Sequence, residues 1–126
     1  MRENHILIID DDLMLLKTAE EILSVQYNVS VAKSGIQALN LLNKNIIPDL
    51  ILLDIDMPQM DGYETLEEIK KIPRCELIPI IFLTGFSEMD YEVRGLKAGA
   101  VDYIVKPFAK EILLARVERH LERYQQ

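Results

Sequence analysis

The segment DLILLDIDMPQMDG, residues 49–62, is a short apolar run that ends abruptly in an acidic residue and a turn. Leu50 to Leu53 are continuously hydrophobic, which is typical of a strand buried on both faces. Asp54 follows directly, and Pro58 and Gly62 then break the backbone into a turn. A carboxylate there is costly to bury without a partner, but the ligands of open α/β sheets bind at the carboxyl ends of the strands. Asp54 is therefore the candidate reactive group.

The bulk composition indicates one globular domain spanning residues 1–126. A chain of 126 residues that is 49% hydrophobic and 28% charged can bury a core of ordinary size. Its net charge of -7 argues against nucleic-acid binding, because phosphate contacts need an excess of Lys and Arg. The single Cys75 excludes an internal disulfide and is compatible with a reducing compartment. Because no apolar run is long enough to span a membrane, we expect a cytoplasmic domain without membrane insertion.

Five short apolar runs alternate with five segments of helical periodicity. The alternation predicts a parallel sheet with right-handed crossovers and helices on both faces. The expected fold is a doubly wound, flavodoxin-like (βα)5 three-layer sandwich with strand order 2-1-3-4-5. The strands are predicted over residues 6–9, 27–31, 50–53, 78–83 and 101–105. The helices are predicted after a cap at Asp12, after a capping box at Ser34, from Tyr63 to Lys71, from a cap at Ser87 to Gly99, and from about Ala109 to Arg123.

The periodicity also predicts which side chains of the outer helices face the core. For the first helix these are Leu13, Leu16, Ala19, Ile22 and Leu23, and for the last helix they are Ile112, Leu113, Ala115 (or Arg116), Val117 and Leu121.

Chemically useful side chains follow four of the five predicted strands. They are Asp10 and Asp11, Asp54, Thr84, and Lys106. Parallel strands end at one edge of the sheet, and the predicted order places the first and third strands side by side. Close carboxylates repel by about 4 kcal/mol per pair at an effective dielectric constant near 20. A hard divalent cation and the lysine would offset this repulsion, and oxygen ligands favour Mg²⁺, with Mn²⁺ as an alternative.

Magnesium held by few carboxylates usually completes its coordination with phosphate oxygens, which indicates phosphoryl chemistry. Asp54 would then be the nucleophile that becomes an aspartyl phosphate. Lys106 would neutralise the phosphoryl oxygens and the Thr84 hydroxyl would donate a hydrogen bond to one of them. Gly85 leaves the approach to this position unobstructed.

Other residues of these segments have plainer structural interpretations. Asp12 is expected to be a helix cap and Asp61 with Gly62 a turn. Asp49 and Asp102 are expected to be solvated residues at strand ends, Tyr103 a half-buried strand residue and Phe108 a core anchor. His5 and His120, near the two ends of the chain, have no partner that the sequence identifies.

Four segments in this order resemble the receiver domain of bacterial response regulators, in the CheY-like superfamily. They are IIDDD (8–12), LLDIDMPQMDGYE (52–64), LTG (83–85) and VDYIVKPF (101–108), within a likeness that covers about residues 6–121. The resemblance implies that Asp54 is the phosphoacceptor, and that Asp10, Asp11, Asp54 and the backbone carbonyl of Asp56 bind Mg²⁺. It also implies a Thr84–Tyr103 switch pair, a phosphoryl contact from Lys106 and a cis Lys106–Pro107 peptide.

The same resemblance implies a signalling role rather than a turnover enzyme. A sensor histidine kinase or phosphotransfer domain would donate the phosphoryl group, and the domain would catalyse the transfer and its own slow hydrolysis. Thr84 would then move inward and Tyr103 rotate. This changes the output face, formed by the fourth predicted helix, the fifth strand and the last helix. That face would regulate an output domain, a downstream protein or a homodimer. The chain is expected to be either a single-domain regulator or the receiver of a longer protein, and in the second case residues 120–126 would be a linker to the output domain.

The resemblance also implies that two positions bear on the lifetime of the phosphorylated state. Asp56, two residues after the acceptor, could repel or orient the attacking water, and Phe86, two residues after Thr84, could shield the phosphoryl group. We expect Phe86→Ala to accelerate dephosphorylation.

Three other functions are compatible with parts of the sequence. The Asp54-Ile-Asp56 motif also resembles the nucleophile motif of haloacid-dehalogenase-type phosphatases, although its central position and the lack of a following Gly-Thr argue against them. A receiver-like scaffold that acts only through protein contacts has no need of the intact acids. A flavodoxin-type cofactor binder would need a Gly- or Ser-rich phosphate-binding loop after the first strand, and no such loop follows it in this sequence.

Overall fold

The computed structural model describes residues 4–85 and 98–124, with side chains of the last helix described as far as Glu122. Ser87 and most of the predicted fourth helix, together with Phe86, lie outside these residues. None of the helices in the described ranges is both long and apolar enough to cross a membrane. The elements are β1 (His5–Ile9), α1 (Leu13–Leu23), β2 (Asn28–Ala32), α2 (Gly35–Asn43), β3 (Leu50–Asp54), α3 (Gly62–Lys70), β4 (Ile80–Thr84), β5 (Asp102–Val105) and a C-terminal helix (Lys110–Tyr124).

The five strands form one parallel sheet in the order β2-β1-β3-β4-β5, which confirms the predicted flavodoxin-like α/β topology. The register aligns the strand ends: Ile9 of β1 is opposite Leu53 of β3, and Thr84 of β4 is opposite Val105 of β5. The residues that follow these strands therefore emerge along a single edge of the sheet.

The sheet is covered on both faces, which explains why its central strands are continuously apolar. Alternate residues of each strand enter opposite layers of the core. One layer packs Leu7, Ile9, Ile51, Leu53 and Phe82 against α2 and α3 through Ala38, Leu42, Leu66 and Ile69. The other packs Ile6, Ile8, Leu50, Leu52 and Ile81 against α1 and the C-terminal helix through Leu16, Ala19, Leu23, Leu113, Val117 and Leu121.

The helix starts confirm the predicted caps at Asp12 and Ser34 and correct the interpretation of Asp61. Ser34 does not form the predicted capping box, because the Gln37 side chain accepts from the Lys33 amide instead of the Ser34 amide. The Asp12 side chain accepts hydrogen bonds from the amides of Met14 and Leu15, and Ser34 accepts one from Gln37. Asp61 is not only a turn residue, because it forms a capping box with Glu64 in which each side chain accepts from the other's backbone amide. Asp61 therefore fixes the start of α3.

The predicted inner faces of two helices contain errors. Leu13 is 58% exposed and Ile112 is 46% exposed, and Ala115 is also exposed. The buried stripe of the C-terminal helix is Leu113, Val117 and Leu121, at a spacing of four residues, so Ile112 and Ala115 point away from the sheet. Arg116, the alternative to Ala115, is half-buried.

The two aspartates interpreted as solvated strand-end residues are both engaged in hydrogen bonds. Asp49 accepts one from the backbone amide of His5 at 2.7 Å, and the His5 ring lies 2.7 Å from the Ser30 hydroxyl. Asp102 is bonded to the buried His120 at 2.9 Å. Both histidines therefore have partners that the sequence did not identify, because the strand register and the helix rotation bring distant residues together.

Candidate functional site

Three carboxylates converge where β1 and β3 end side by side. Asp10 directly follows β1, and Asp54 is the last residue of β3. Both are buried, at 0% and 2% exposure, whereas Asp11 is exposed. One oxygen from each of the three lies within 4.8 Å of the others. The structure thus brings together the acids that the sequence placed at one sheet edge.

The backbone that follows each strand orients the two buried carboxylates. Oδ1 of Asp10 accepts a hydrogen bond from the Asp12 amide at 2.9 Å, and Oδ1 of Asp54 accepts one from the Asp56 amide at 3.3 Å. Each acid is therefore held by the backbone amide of the residue two positions later. Asp56 itself is exposed.

Lys106 reaches both buried acids from the far side of β4. Its Nζ lies 2.8 Å from Oδ2 of Asp10 and 3.0 Å from Oδ1 of Asp54. Its backbone amide donates to the Thr84 carbonyl at 2.7 Å, and the Lys106–Pro107 peptide is cis. Burial alone would lower the pKa of the Lys106 ammonium, but its bonds to Asp10 and Asp54 outweigh this and raise the pKa. The lysine therefore stays charged.

Asp54 has an environment that disfavours its ionised form. Burial raises its pKa to about 7, the hydrogen bond from Lys106 opposes the rise, and the charge of Asp10 adds to it. Near neutral pH this carboxyl is consequently poised between its protonated and ionised forms. A further positive charge at the site would favour the ionised form, which is the nucleophilic one.

The acidic cluster fits a hard divalent cation. Within the described part of the chain, the buried Oδ2 of Asp10 has an ion pair with Lys106 at 2.8 Å and no further polar partner. A buried carboxylate oxygen with spare capacity, beside two further carboxylates, matches the oxygen ligands that Mg²⁺ and Mn²⁺ prefer. Asp10, Asp11 and Asp54 are the residues that would hold the ion.

The other predicted site residues are distributed around this cluster. Thr84 is buried as the last residue of β4, and Tyr103 is half-buried on β5. A Cβ atom added at Gly85 would meet no atom of the described residues within 4 Å. Phe86 lies outside the described residues.

Gly62 contributes to the site in a way that the sequence did not reveal. A Cβ atom there would lie 2.4 Å from the carbonyl oxygen of Asp54 and 2.7 Å from Cα of Ile55. The Gly62 amide donates to the Ile55 carbonyl at 2.8 Å. Only glycine lets the start of α3 lie this close to the strand end that carries Asp54. The Asp61-Gly62 pair had indicated a turn, and nothing in the sequence alone marked this contact.

A groove lined by Asp12 and Pro107, which directly follow Asp11 and Lys106 in the chain, also contains apolar side chains. It lies between α1 and the segment after β5, and Met14 on its rim is 80% exposed. Phe108, predicted as a core anchor, is half-buried and packs against the core layer under α1. The residues that line the groove are Asp12, Met14, Leu15, Thr18, Pro107 and Phe108.

The model of the response regulator receiver domain family matches residues 6–118. The chain belongs to this family. The receiver domain is 44% identical over 117 residues to a probable cyclic di-GMP phosphodiesterase of Vibrio cholerae. This alignment covers 93% of this chain and 26% of that protein. It is 41% identical over 125 residues to the probable transcriptional regulator ycf27 of Cyanidium caldarium, covering 98% of this chain and 49% of that protein.

A solved structure gives the same result for the fold. The Vibrio cholerae chemotaxis protein CheY4 superposes with a TM-score of 0.87 at 29% identity, covering 93% of this chain and 98% of that chain. The receiver domain is therefore CheY-like, as the sequence motifs predicted. It spans half or less of the length of the two curated relatives.

Proposed function

We propose that this receiver domain accepts a phosphoryl group on Asp54, with Mg²⁺ bound by Asp10, Asp11, Asp54 and the Asp56 backbone carbonyl. Family membership already makes the chain a signalling domain of two-component response regulators and not a turnover enzyme. The observation that carries the finer proposal is the burial of Asp54 within reach of two acids and one lysine. Converging carboxylates repel one another and do not stabilise a fold by themselves, whereas phosphoryl transfer depends on a positioned metal ion and on cationic side chains that neutralise charge.

In the proposed reaction, an Asp54 oxygen attacks phosphorus while the P–N bond to a donor phosphohistidine breaks. The departing imidazole keeps the electron pair and takes up a proton. Lys106 exchanges its contact with Asp54 for the phosphoryl oxygens, and the Thr84 hydroxyl donates to one of them. Bound Mg²⁺ would supply further neutralisation of the phosphoryl charge. In hydrolysis, a water oxygen attacks phosphorus and the bond between phosphorus and the Asp54 oxygen breaks. The phosphoryl group leaves as inorganic phosphate and the water proton is released, which restores the Asp54 carboxylate. Asp56 and Phe86 would tune the rate of this step.

The partners follow from the same reaction. The donor is a sensor histidine kinase or phosphotransfer domain, and exposed Met14 on the rim of the groove lined by Asp12 and Pro107 offers it an apolar contact. Phosphorylation would reposition Thr84 and Tyr103 and so change the output face. That face would then act on an output domain, a downstream protein or a second copy of the chain.

We propose that this phosphoryl transfer takes place in the cytoplasm. The acidic net charge argues against direct nucleic-acid binding by this segment.

Intact mass measured after incubation with acetyl phosphate, with and without Mg²⁺, tests the proposal. We expect a single phosphoryl adduct that requires Mg²⁺ and is absent from Asp54→Asn. Asp12→Asn is the matched control, because it removes a neighbouring carboxylate while asparagine caps a helix equally well. This variant should still form the adduct.

Three outcomes would contradict the proposal. An adduct that persists in Asp54→Asn would place the acceptor elsewhere. The absence of any adduct would favour the scaffold that acts only through protein contacts. Multiple turnovers on a small phosphomonoester would instead support the phosphatase alternative.

A further inference from the structure

The strand β5 is the edge of the described sheet, and its only strand neighbour there is β4. Edge strands present backbone N–H and C=O groups that have no partner strand. At Tyr103 both groups are bonded to side chains. Its amide donates to Oδ1 of Asp102 at 2.8 Å, and its carbonyl accepts from Nη1 of Arg116 at 2.8 Å. The sheet edge is therefore closed at Tyr103 by two side chains.

The Asp102 carboxylate is the centre of this closure. Besides the Tyr103 amide, Oδ1 accepts from Nη1 of Arg116 at 3.2 Å, and Oδ2 is 2.9 Å from Nε2 of His120. With Nε2 as the donor, His120 bonds to Oδ2 of Asp102, whereas Tyr103 and Arg116 both bond to Oδ1. The carboxylate is thus fixed on both sides and cannot rotate without breaking a hydrogen bond.

His120 is an unusual residue for its place in the helix. It lies next to Leu121 on the buried stripe of Leu113 and Val117, and only 3% of it is exposed. Its Nδ1 has no partner among the described residues. An apolar side chain would fill this position without leaving a buried ring nitrogen unpaired. The hydrogen bond to Asp102 is what the histidine provides in return.

We propose that His120 is a positioning residue for the switch, acting through Asp102 and Arg116 to hold the Tyr103 backbone and keep the β5 edge closed. This inference rests on the proposed function, in which Tyr103 is the switch partner of Thr84. Without the His120 donor, Asp102 rotates more freely, Arg116 loses its anchor, and the backbone at Tyr103 opens more often. The contacts of Lys106 with Asp10 and Asp54 share no atom with this cluster. Phosphoryl acceptance is therefore expected to be unaffected.

Two substitutions separate the hydrogen bond from simple packing. His120→Gln keeps an N–H donor at nearly the reach of Nε2, whereas His120→Leu fills the site with apolar atoms and has no donor. Residue-resolved amide hydrogen exchange of the unphosphorylated protein measures the opening. We expect exchange at Tyr103 to accelerate by about tenfold in the Leu variant and by less than about threefold in the Gln variant. The Ile104 amide, buried within β5, should change little in either.

A switch readout completes the test. The ring resonances of Tyr103 should move toward their phosphorylated positions in unphosphorylated His120→Leu but not in His120→Gln. Equal exchange at Tyr103 in both variants and the wild type would overturn the positioning role, and so would equal acceleration in both variants. If the Leu variant does not fold, His120→Met replaces it as the variant without a donor.

The two levels of the proposal fail separately. The exchange experiment needs no phosphoryl group, so it tests the closure of β5 even if the wild type forms no adduct. Adduct formation in all variants together with equal exchange at Tyr103 would leave the phosphoacceptor intact and reject only the role of His120.

Discussion

At the scale of the single residue, the buried carboxyl of Asp54 makes the stability of the fold depend on pH. Its pKa of about 7 in the folded protein lies well above the ordinary value for aspartate, about 3.9, that applies when the chain is unfolded. Between these values the native state binds a proton that the unfolded state has released. The free energy of unfolding contributed by this group therefore falls as the pH rises through that window and is constant above it.

Replacing Asp54 with asparagine should remove this dependence. Without divalent cations, the free energy of unfolding of Asp54→Asn relative to the wild type should grow from pH 4 to pH 8, by at most about 4 kcal/mol. Urea unfolding of both proteins across this range measures the difference. Asp12→Asn, which changes an exposed acid, provides the baseline. A constant difference between Asp54→Asn and the wild type would show that Asp54 ionises normally in the fold.

Lys106 is the second residue whose charge can be tested in isolation. Lys106→Met keeps most of the aliphatic chain but removes the ammonium that contacts Asp10 and Asp54. Loss of one stabilising donor from a transition state typically slows a reaction by about 10²–10³-fold. We expect a decrease of this size in the initial rate of adduct formation with acetyl phosphate. Lys110→Met, at an exposed lysine of the C-terminal helix, should react at the wild-type rate.

At the scale of the element, the close contact of α3 with the end of β3 depends on the absence of a Cβ atom at Gly62. Gly62→Ala would place a methyl group against the Asp54 carbonyl oxygen, where the backbones of α3 and β3 leave no room for a Cβ atom. Alanine is the better helix former by about 1 kcal/mol, but overpacking against rigid backbone typically costs about 1–3 kcal/mol. We therefore expect a net loss of stability and a slower reaction at Asp54.

Gly85→Ala is the matched control for this substitution. A Cβ atom there would meet no described neighbour within 4 Å, so its stability should stay near that of the wild type. Urea midpoints of the two variants give the comparison. Equal midpoints for Gly62→Ala and Gly85→Ala would mean that α3 can withdraw from β3 without cost.

At the scale of the whole molecule, the features predicted from sequence were those that depend on periodicity and strand ends. The runs at Leu50 to Leu53 and Ile6 to Ile9 mark strands buried on both faces, and the parallel topology then places Asp10 beside Asp54. The pairing of His120 with Asp102 was missed because it depends on how the C-terminal helix is rotated against β5. No local pattern specifies that rotation to within one residue.

Cation binding should stabilise the whole domain, since the three carboxylates converge only in the folded state. A ligand at one hundred times its Kd contributes about 2.7 kcal/mol. For a domain of this size the melting temperature should rise by several degrees. Because Asp54 releases its proton near pH 7, the rise caused by Mg²⁺ should be larger at pH 8 than at pH 6.

Thermal unfolding with MgCl₂ or with KCl of equal ionic strength separates specific binding from screening. The stabilisation should disappear in the double variant Asp10→Asn, Asp11→Asn and persist in Asp12→Asn. If the double variant were stabilised as strongly as the wild type, Mg²⁺ would be acting on the acidic surface in general. The buried oxygen of Asp10, whose one polar contact is the ion pair with Lys106, favours the specific outcome, because mobile ions screen a buried charge much less than an exposed one.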